Sequence, residues 1–162
     1  MKPYLPWPRK DVTFYDVACY LPKTRTAIIG DLQIGNEEAL NTRGVLIPRT
    51  QLAELQKTID RILALKPKEV VINGDLKHEF GRISPTEWRG VLAIIDQIQK
   101  RCALIIVRGN HDPMAEPILR KRGLTVKEYV VRSGYYICHG HVEPQGAAIK
   151  KTKCIIIGHE HP

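Results

Sequence analysis

The chain has 162 residues, of which 43% are hydrophobic, a composition that suits one globular domain over residues 1–162. Its 25 Lys and Arg residues outnumber 17 Asp and Glu residues, and the formal charge of +8 favours nucleic acid as a partner, with mere solubility as the alternative. No apolar run approaches the ~20 residues of a membrane span, and the four cysteines form no C-x-x-C pair, so we expect a soluble, cytoplasmic protein without a zinc knuckle.

Short apolar runs alternate with helical patterns along the chain. Helices are predicted over 48–65, where apolar residues repeat at helical spacing, from Ser84, where Glu87 completes a capping box, and over 114–122. This alternation predicts an α/β sheet with parallel neighbours, while the consecutive later strands indicate a mixed or antiparallel part. The predicted strands are 12–21, 26–29, 69–72, 102–107, 125–131, 135–138 and 154–157.

Five of the predicted strands end on the same few residue types: Gly, Asp, Asn and His. The sequences that follow them are GDLQIG, NGDLKHE, RGNHD, HGH and GHEH. Taken alone, the Gly-Asp pair at Asp31 is more often an ordinary turn than a ligand. Because ligands of open α/β sheets gather beyond the carboxyl ends of the strands, the five sequences together predict one metal site. All six histidines of the chain lie in these places: His78, His111, His139, His141, His159 and His161.

The residue types predict the chemistry of that site. Oxygens of Asp and Asn together with nitrogens of His suit Mn²⁺, Fe²⁺ or Zn²⁺ better than Mg²⁺. Two such ions ~3.5–4 Å apart need an anionic bridge, activate water at neutral pH and clamp the oxygens of a phosphate ester. The predicted reaction class is therefore hydrolysis of a phosphoester.

In this order, the five motifs resemble the signature of the calcineurin-like metallophosphoesterases. The resemblance spans Gly30 to His161. Within the superfamily, it is closest to the archaeal and bacterial phosphoesterases related to SbcD-type DNA repair nucleases. It implies a four-layer α/β/β/α sandwich that holds two divalent ions, with Mn as the first choice and Fe, Zn or Ni as alternatives.

The resemblance also implies which residues hold the ions. Asp75 would bridge them, while Asp31 and His161 would hold the first. The second ion would be held by three further residues, which are Asn110, His139 and His159.

The remaining motif residues would act on the substrate. By the same resemblance, His111 would face the phosphate, stabilising the transition state or protonating the leaving oxygen, and Asp112 would orient it. His78 would contact the scissile phosphate or, equally, support a ligand through a hydrogen bond. His141 is expected beside the ligands or facing substrate. Candidate phosphate contacts, each more commonly solvated surface, are Arg43, Arg49 and Lys77.

Two features depart from the family pattern. The first motif usually carries His where this chain has Gln33, and an amide is a weaker, neutral ligand. The first ion should therefore be loosely held, exchangeable or absent, although Gln33 could coordinate through its carbonyl or hold a metal-bound water. The chain also stops at Pro162, one residue after the last motif. We expect a sandwich that is incomplete at its C-terminal end, with a second copy or a partner chain covering the exposed sheet edge.

The expected function is metal-dependent hydrolysis of phosphodiester bonds, with nucleic acid as the favoured substrate. A small-molecule phosphodiesterase or phosphatase that uses the same site is the first alternative. The second is a catalytically weakened nucleic-acid-binding or scaffold protein, which Gln33 and the early end of the chain at Pro162 favour.

Overall fold

The larger sheet runs through the centre of the molecule. A computed structural model describes residues 10–79, 83–112 and 116–160, and within these residues the sheet has six strands, in chain order from one edge to the other. The first three strands pair antiparallel, and the third to the sixth run parallel. The strands are β1 Thr13–Tyr15, β2 Ala18–Leu21, β3 Thr26–Ile29, β4 Glu69–Asn73, β5 Ala103–Val107 and β6 Val126–Lys127.

A smaller sheet and four helices complete the described part of the chain. In this sheet β7 Val130–Arg132 is antiparallel to β8 Tyr135–Ile137, which runs parallel to β9 Cys154–Ile156. A short 3₁₀ helix, Ile149–Lys151, precedes β9. None of the helices described is long and apolar enough to cross a bilayer. The helices are α1 Asn36–Thr42, α2 Gln51–Ala64, α3 Pro85–Gln99 and α4 Glu116–Arg120.

The larger sheet is buried on both faces because its central strands are apolar at consecutive positions. Ile72 of β4 packs with residues of α2, α3 and α4, whereas its neighbour Val71 packs with Tyr135 and Ile137 of the smaller sheet. Successive side chains of a strand point to opposite faces, so helices cover one face and the smaller sheet covers the other. The predicted α/β class is confirmed.

Three of the four predicted layers are present in the described residues. They form an α/β/β stack, in which the helices pack on the larger sheet. On the outer side of the smaller sheet, Val131 and Ile155 are exposed.

Several predicted elements are divided or missed. The single strand predicted over 12–21 is wrong, because Asp16 adopts a left-handed φ of 55° and reverses the chain between β1 and β2. The strand predicted over 125–131 is also wrong, since its two halves join different sheets as β6 and β7. Helix α1 was not predicted, because Ala39 is its one buried residue in the described structure and no apolar periodicity marks it.

The helix boundaries follow their local sequence signals. The capping box at α3 is confirmed: the Glu87 N–H donates to the Ser84 hydroxyl over 3.0 Å, and the Ser84 N–H donates to the Glu87 carboxylate over 2.7 Å. The helix predicted over 114–122 appears as α4, and its first two predicted positions lie outside the described residues. Gly123 ends this segment with a φ of 68°, which glycine adopts without strain.

An ion pair ties the two sheets together. Arg132 of β7 makes two hydrogen bonds to the Glu69 carboxylate at the start of β4, one of them 2.9 Å long, and Thr26 donates to the same carboxylate over 2.8 Å. Burial would raise the pKa of Glu69, but the hydrogen bonds from Arg132 and Thr26 outweigh it and hold the pKa below its ordinary value.

We predict that Glu69→Gln lowers the free energy of unfolding by about 1–3 kcal/mol at neutral pH, because Arg132 loses a charged acceptor. Since the folded-state pKa of Glu69 is lowered, its contribution is present at neutral pH and is lost as the pH falls through that pKa. Urea unfolding at neutral and acidic pH measures this difference. Glu54→Gln, which removes an exposed pair with Lys57, is the control. An equal difference at both pH values would contradict the assignment.

Candidate metal centre

The loops that follow the parallel strands meet at one edge of the larger sheet. Backbone N–H groups of the loop after β3 donate to the loop after β4, from Asp31 to Gly74 over 3.1 Å and from Gln33 to Asp75 over 2.9 Å. Several non-glycine motif residues of the described chain adopt the left-handed φ that side chains disfavour: Asp31, Gln33, Asp75 and His159. Such backbone strain is common at functional sites, where the surrounding structure holds it in place.

A group of potential ligands converges at this edge. Asp75, His139 and His159 each bring one ligand atom within 4.8 Å of the others, and theirs is the one such group in the described residues. The Nε2 atom of His139 lies 3.3 Å from Oδ1 of Asp75 and 2.9 Å from Oδ1 of Asn110. We call these four residues the ligand cluster. They are the bridging residue and the three second-ion ligands predicted from the sequence, and their mixed nitrogen and oxygen donors fit a divalent transition metal.

The orientation of His139 leaves one ring nitrogen for a ligand role. Its Nδ1 atom lies 3.0 Å from the backbone carbonyl of Asn73, to which it donates, so Nε2 faces the cluster. The side chain of Asn73 in turn donates to the carbonyl of Cys138 over 2.8 Å. The sequence reasoning gave Asn73 no role, although a polar residue at the end of a buried strand is a signal that could have found it.

The electrostatics favour an anionic carboxylate in the cluster. Asp75 is buried, and burial would raise its pKa, but hydrogen bonds from His139 and from the N–H of His111 outweigh this and lower the pKa. Burial would lower the pKa of His139, yet its contacts with Asp75 and Asn73 raise it. The charge of Asp75 is thus stabilised inside the protein by donors from the surrounding loops.

Two further histidines line a cleft beside the cluster. His111 donates its backbone N–H to Oδ1 of Asp75 over 3.1 Å, and its ring Nδ1 lies 2.5 Å from the carbonyl of His78. The rings of His78 and His111 stack with centroids 6.0 Å apart. The cleft has a volume of about 380 Å³. Its lining is Gln33, Asn36, Asp75, His78, Asn110, His111 and His159.

The carboxylate of Asp112 joins two loops of the site through hydrogen bonds. Its two carboxylate oxygens accept the backbone N–H groups of Leu76, over 2.9 Å, and Gly109, over 3.0 Å, so it joins the loops after β4 and β5. Its side chain is buried, and this burial raises its pKa. The orienting role predicted for Asp112 towards His111 stays a prediction, since the contacts of His111 given above run to Asp75 and His78.

The residues predicted for the first ion are only partly described. Asp31 lies beside the cluster, where its carboxylate accepts the N–H of His159 over 3.3 Å and approaches Nδ1 of His139 at 3.8 Å. His161 lies outside the described residues. The ring of His141 stands 5.3 Å from that of His139, near the cluster as predicted, and burial lowers its pKa.

The predicted phosphate contacts are engaged with other groups. Arg43 pairs with Glu79 at 3.3 Å, and Arg49 pairs with Glu38 at 2.7 Å. Lys77 is fully buried, and its ammonium donates to the carbonyl of Glu79. The exposed ion pairs of Arg43 and Arg49 agree with the more common expectation of solvated surface residues. That expectation is wrong for Lys77, which is buried instead of solvated.

A mixed sheet whose loops bring carboxylate, amide and imidazole ligands to one edge defines a metallophosphoesterase-type α/β protein. The model of the calcineurin-like phosphoesterase family matches residues 24–162, and this chain belongs to that family. The crystal structure of the Pseudomonas putida nuclease MPE is similar to it, with a TM-score of 0.65 and 23% identity, over 88% of this chain and 64% of the nuclease. This chain therefore spans less than two thirds of that nuclease, and the likeness is one of fold. No curated protein matches the sequence.

We predict that His159→Ala weakens Mn²⁺ binding by at least about tenfold, because the cluster loses an imidazole ligand. The hydrogen bond from the backbone N–H of His159 to the carboxylate of Asp31 does not involve the imidazole, so this variant retains it. Isothermal titration of the purified chain measures the affinity. His141→Ala, which removes a neighbouring ring from outside the cluster, is the matched control and should bind Mn²⁺ as the wild type does. Equal loss in both variants would contradict the ligand assignment.

Proposed function

We propose that this chain is a metal-dependent phosphodiesterase that acts on nucleic acid. The observation that carries the proposal is the convergence of the ligand cluster beside His111 in an open cleft. A divalent ion bound there would polarise a phosphoryl oxygen and lower the pKa of water. Mn²⁺ is our first choice because half of the donors are hard oxygens, and Fe, Zn and Ni are the alternatives.

His111 is the residue that we assign to the leaving group. The carbonyl of His78 can only accept a hydrogen bond, so the Nδ1 atom of His111 carries a hydrogen. The other ring nitrogen, Nε2, lies 3.7 Å from Oδ2 of Asp75 and faces the cleft. When the ring is protonated on both nitrogens, Nε2 can donate its proton from this position to the oxygen that leaves phosphorus, or a hydrogen bond to the charge that develops there, and the ring is left neutral with its hydrogen on Nδ1.

Two features support a nucleic-acid substrate. The formal charge of +8 attracts a polyanion. A cavity of about 290 Å³ that adjoins His139 is walled by Tyr129 and Tyr136, whose rings stack with centroids 4.5 Å apart. Tyr129 is 39% exposed and presents an aromatic surface on which an unpaired base can stack.

A small-molecule phosphodiester is the second candidate substrate. The observation that favours it is the pairing of the two arginines that flank the first motif, Arg43 and Arg49, with glutamates. Their charge is therefore offset, and a long polyanion would gain less from them. Substrate length and salt dependence distinguish the two candidates.

We predict that the Mn²⁺-loaded chain degrades end-labelled single-stranded DNA. His111→Ala should lower the rate by about 10²–10⁴-fold while Mn²⁺ stays bound, because the backbone N–H to Asp75 is unchanged. Asp75→Asn should lose both Mn²⁺ and cleavage. The exposed change Lys57→Ala is the control, and gel electrophoresis measures the products.

Each failure in that assay has a distinct meaning. Metal-loaded wild type that leaves DNA intact but cleaves bis(p-nitrophenyl) phosphate would support the small-molecule candidate. Inactivity on both substrates would support the weakened binding or scaffold protein. Cleavage that persists in Asp75→Asn would contradict the site itself.

We predict that salt separates polymer binding from small-substrate binding. Raising KCl from about 50 to about 200 mM should increase KM for single-stranded DNA by at least about tenfold, because bound phosphates release counterions. KM for bis(p-nitrophenyl) phosphate should change little, and initial rates on both substrates measure this. A KM for DNA that is insensitive to salt would contradict the polymer-binding part of the proposal.

A further inference from the structure

The side chain of Gln33 lies between Asp75 and His78. Its Nε2 is 2.9 Å from Oδ2 of Asp75, and its Oε1 is 2.8 Å from Nδ1 of His78. An ionised carboxylate only accepts hydrogen bonds, so the nitrogen of the amide must face Asp75 and the oxygen must face His78. His78 therefore donates from Nδ1, and the amide is satisfied at both ends.

The two oxygens of Asp75 have different surroundings. Oδ1 faces the ligand cluster, 3.3 Å from Nε2 of His139, and also accepts the N–H of His111. Oδ2 accepts the amide hydrogen of Gln33 over 2.9 Å and lies 3.7 Å from Nε2 of His111. In a two-ion centre the bridging carboxylate directs a lone pair at each cation. Here one lone pair of Oδ2 accepts a neutral N–H donor, and a second cation on this oxygen would have to compete with that donor.

The backbone holds Gln33 in this place. Its N–H donates to the carbonyl of Asp75, and its own carbonyl accepts the side-chain amide of Gln51, each over 2.9 Å. Gln51 begins α2 and also accepts the N–H of Gly35 over 3.1 Å, so the loop is anchored to a long helix. The backbone of Gln33 has a left-handed φ of 47°, and these hydrogen bonds hold it in that conformation, so its side chain stays directed at Asp75.

The electrostatics of the site lead to the same conclusion as the hydrogen bonds of Asp75. Two divalent ions a few ångströms apart repel each other strongly, and an anionic bridge is what makes such a pair stable. The amide of Gln33 stabilises the charge on Oδ2 without bringing a cation. We propose that this centre binds one divalent ion, in the ligand cluster, and that the amide of Gln33 takes the place of a second ion on Asp75. This inference concerns metal content, and so it holds or fails independently of the substrate.

Metal content tests the inference directly. The purified full chain is equilibrated with excess Mn²⁺ and desalted, the metal is counted by mass spectrometry, and electron paramagnetic resonance distinguishes an isolated Mn²⁺ from an exchange-coupled pair. We expect about one ion per wild-type chain with the isolated spectrum, and about two with a coupled spectrum in Gln33→His, which offers an imidazole beside Asp75 Oδ2.

Gln33→Leu is the matched control, because it removes the amide hydrogen bond but supplies no ligand. It should bind about one ion with the isolated spectrum. A coupled pair in the wild type would overturn the inference, as would a folded Gln33→His that still holds a single ion. If Gln33→His fails to fold, as judged by circular dichroism, the wild-type spectrum decides. A wild type that binds no Mn²⁺ would overturn the ligand cluster as well, whereas DNA left intact by a one-ion protein would affect the proposed function alone.

Discussion

The carboxylate of Asp75 is the group on which the centre depends. It follows β4, whose residues Val71 and Ile72 are fully buried, and is itself 2% exposed. An anion in such a place is costly unless donors surround it. The loops around it provide those donors as the amide of Gln33 and the backbone N–H of His111.

The fold makes this convergence possible. Parallel strands place their carboxyl ends at one edge of the sheet, and burial of both faces fixes the strands beneath the loops. The loops are then joined to each other by backbone contacts, with Asp112 tying the loop after β5 to that after β4. The left-handed conformations of Asp31, Gln33 and Asp75 are the local cost of this arrangement, and they persist because the surrounding contacts hold them.

The sequence predicted the elements whose signals are local and strong. The strand over 26–29 and the capping box at Ser84 have the predicted boundaries, because a buried apolar run and a cap each depend on adjacent residues. The hairpin within 12–21 was not predicted because its turn, formed by Asp16 and Val17, contains neither glycine nor proline. The fourth layer of the sandwich, helices outside the smaller sheet, was predicted only from the resemblance to the family. The described residues contain the other three layers.

The centre was predictable in its residue types but not in its contacts. Strand ends that carry Asp, Asn and His located the ligand cluster, since parallel strands meet at a common edge. Side-chain orientations are not encoded by the spacing of residues in a single sequence. They decide which oxygen of Asp75 faces Gln33 and from which backbone N–H groups Asp112 accepts hydrogen bonds. Asn73 could have been noticed as a polar residue that ends a buried strand, but the contact of its carbonyl with His139 joins loops of the two sheets and is visible only in the structure.

Anomalous X-ray diffraction from crystals equilibrated with Mn²⁺ would show which residues hold the metal. We expect an anomalous peak enclosed by the side chains of the ligand cluster, which are Asp75, Asn110, His139 and His159. A peak enclosed by other residues, or no peak at this edge of the sheet in a fully loaded crystal, would show that the ligand cluster is not the metal site.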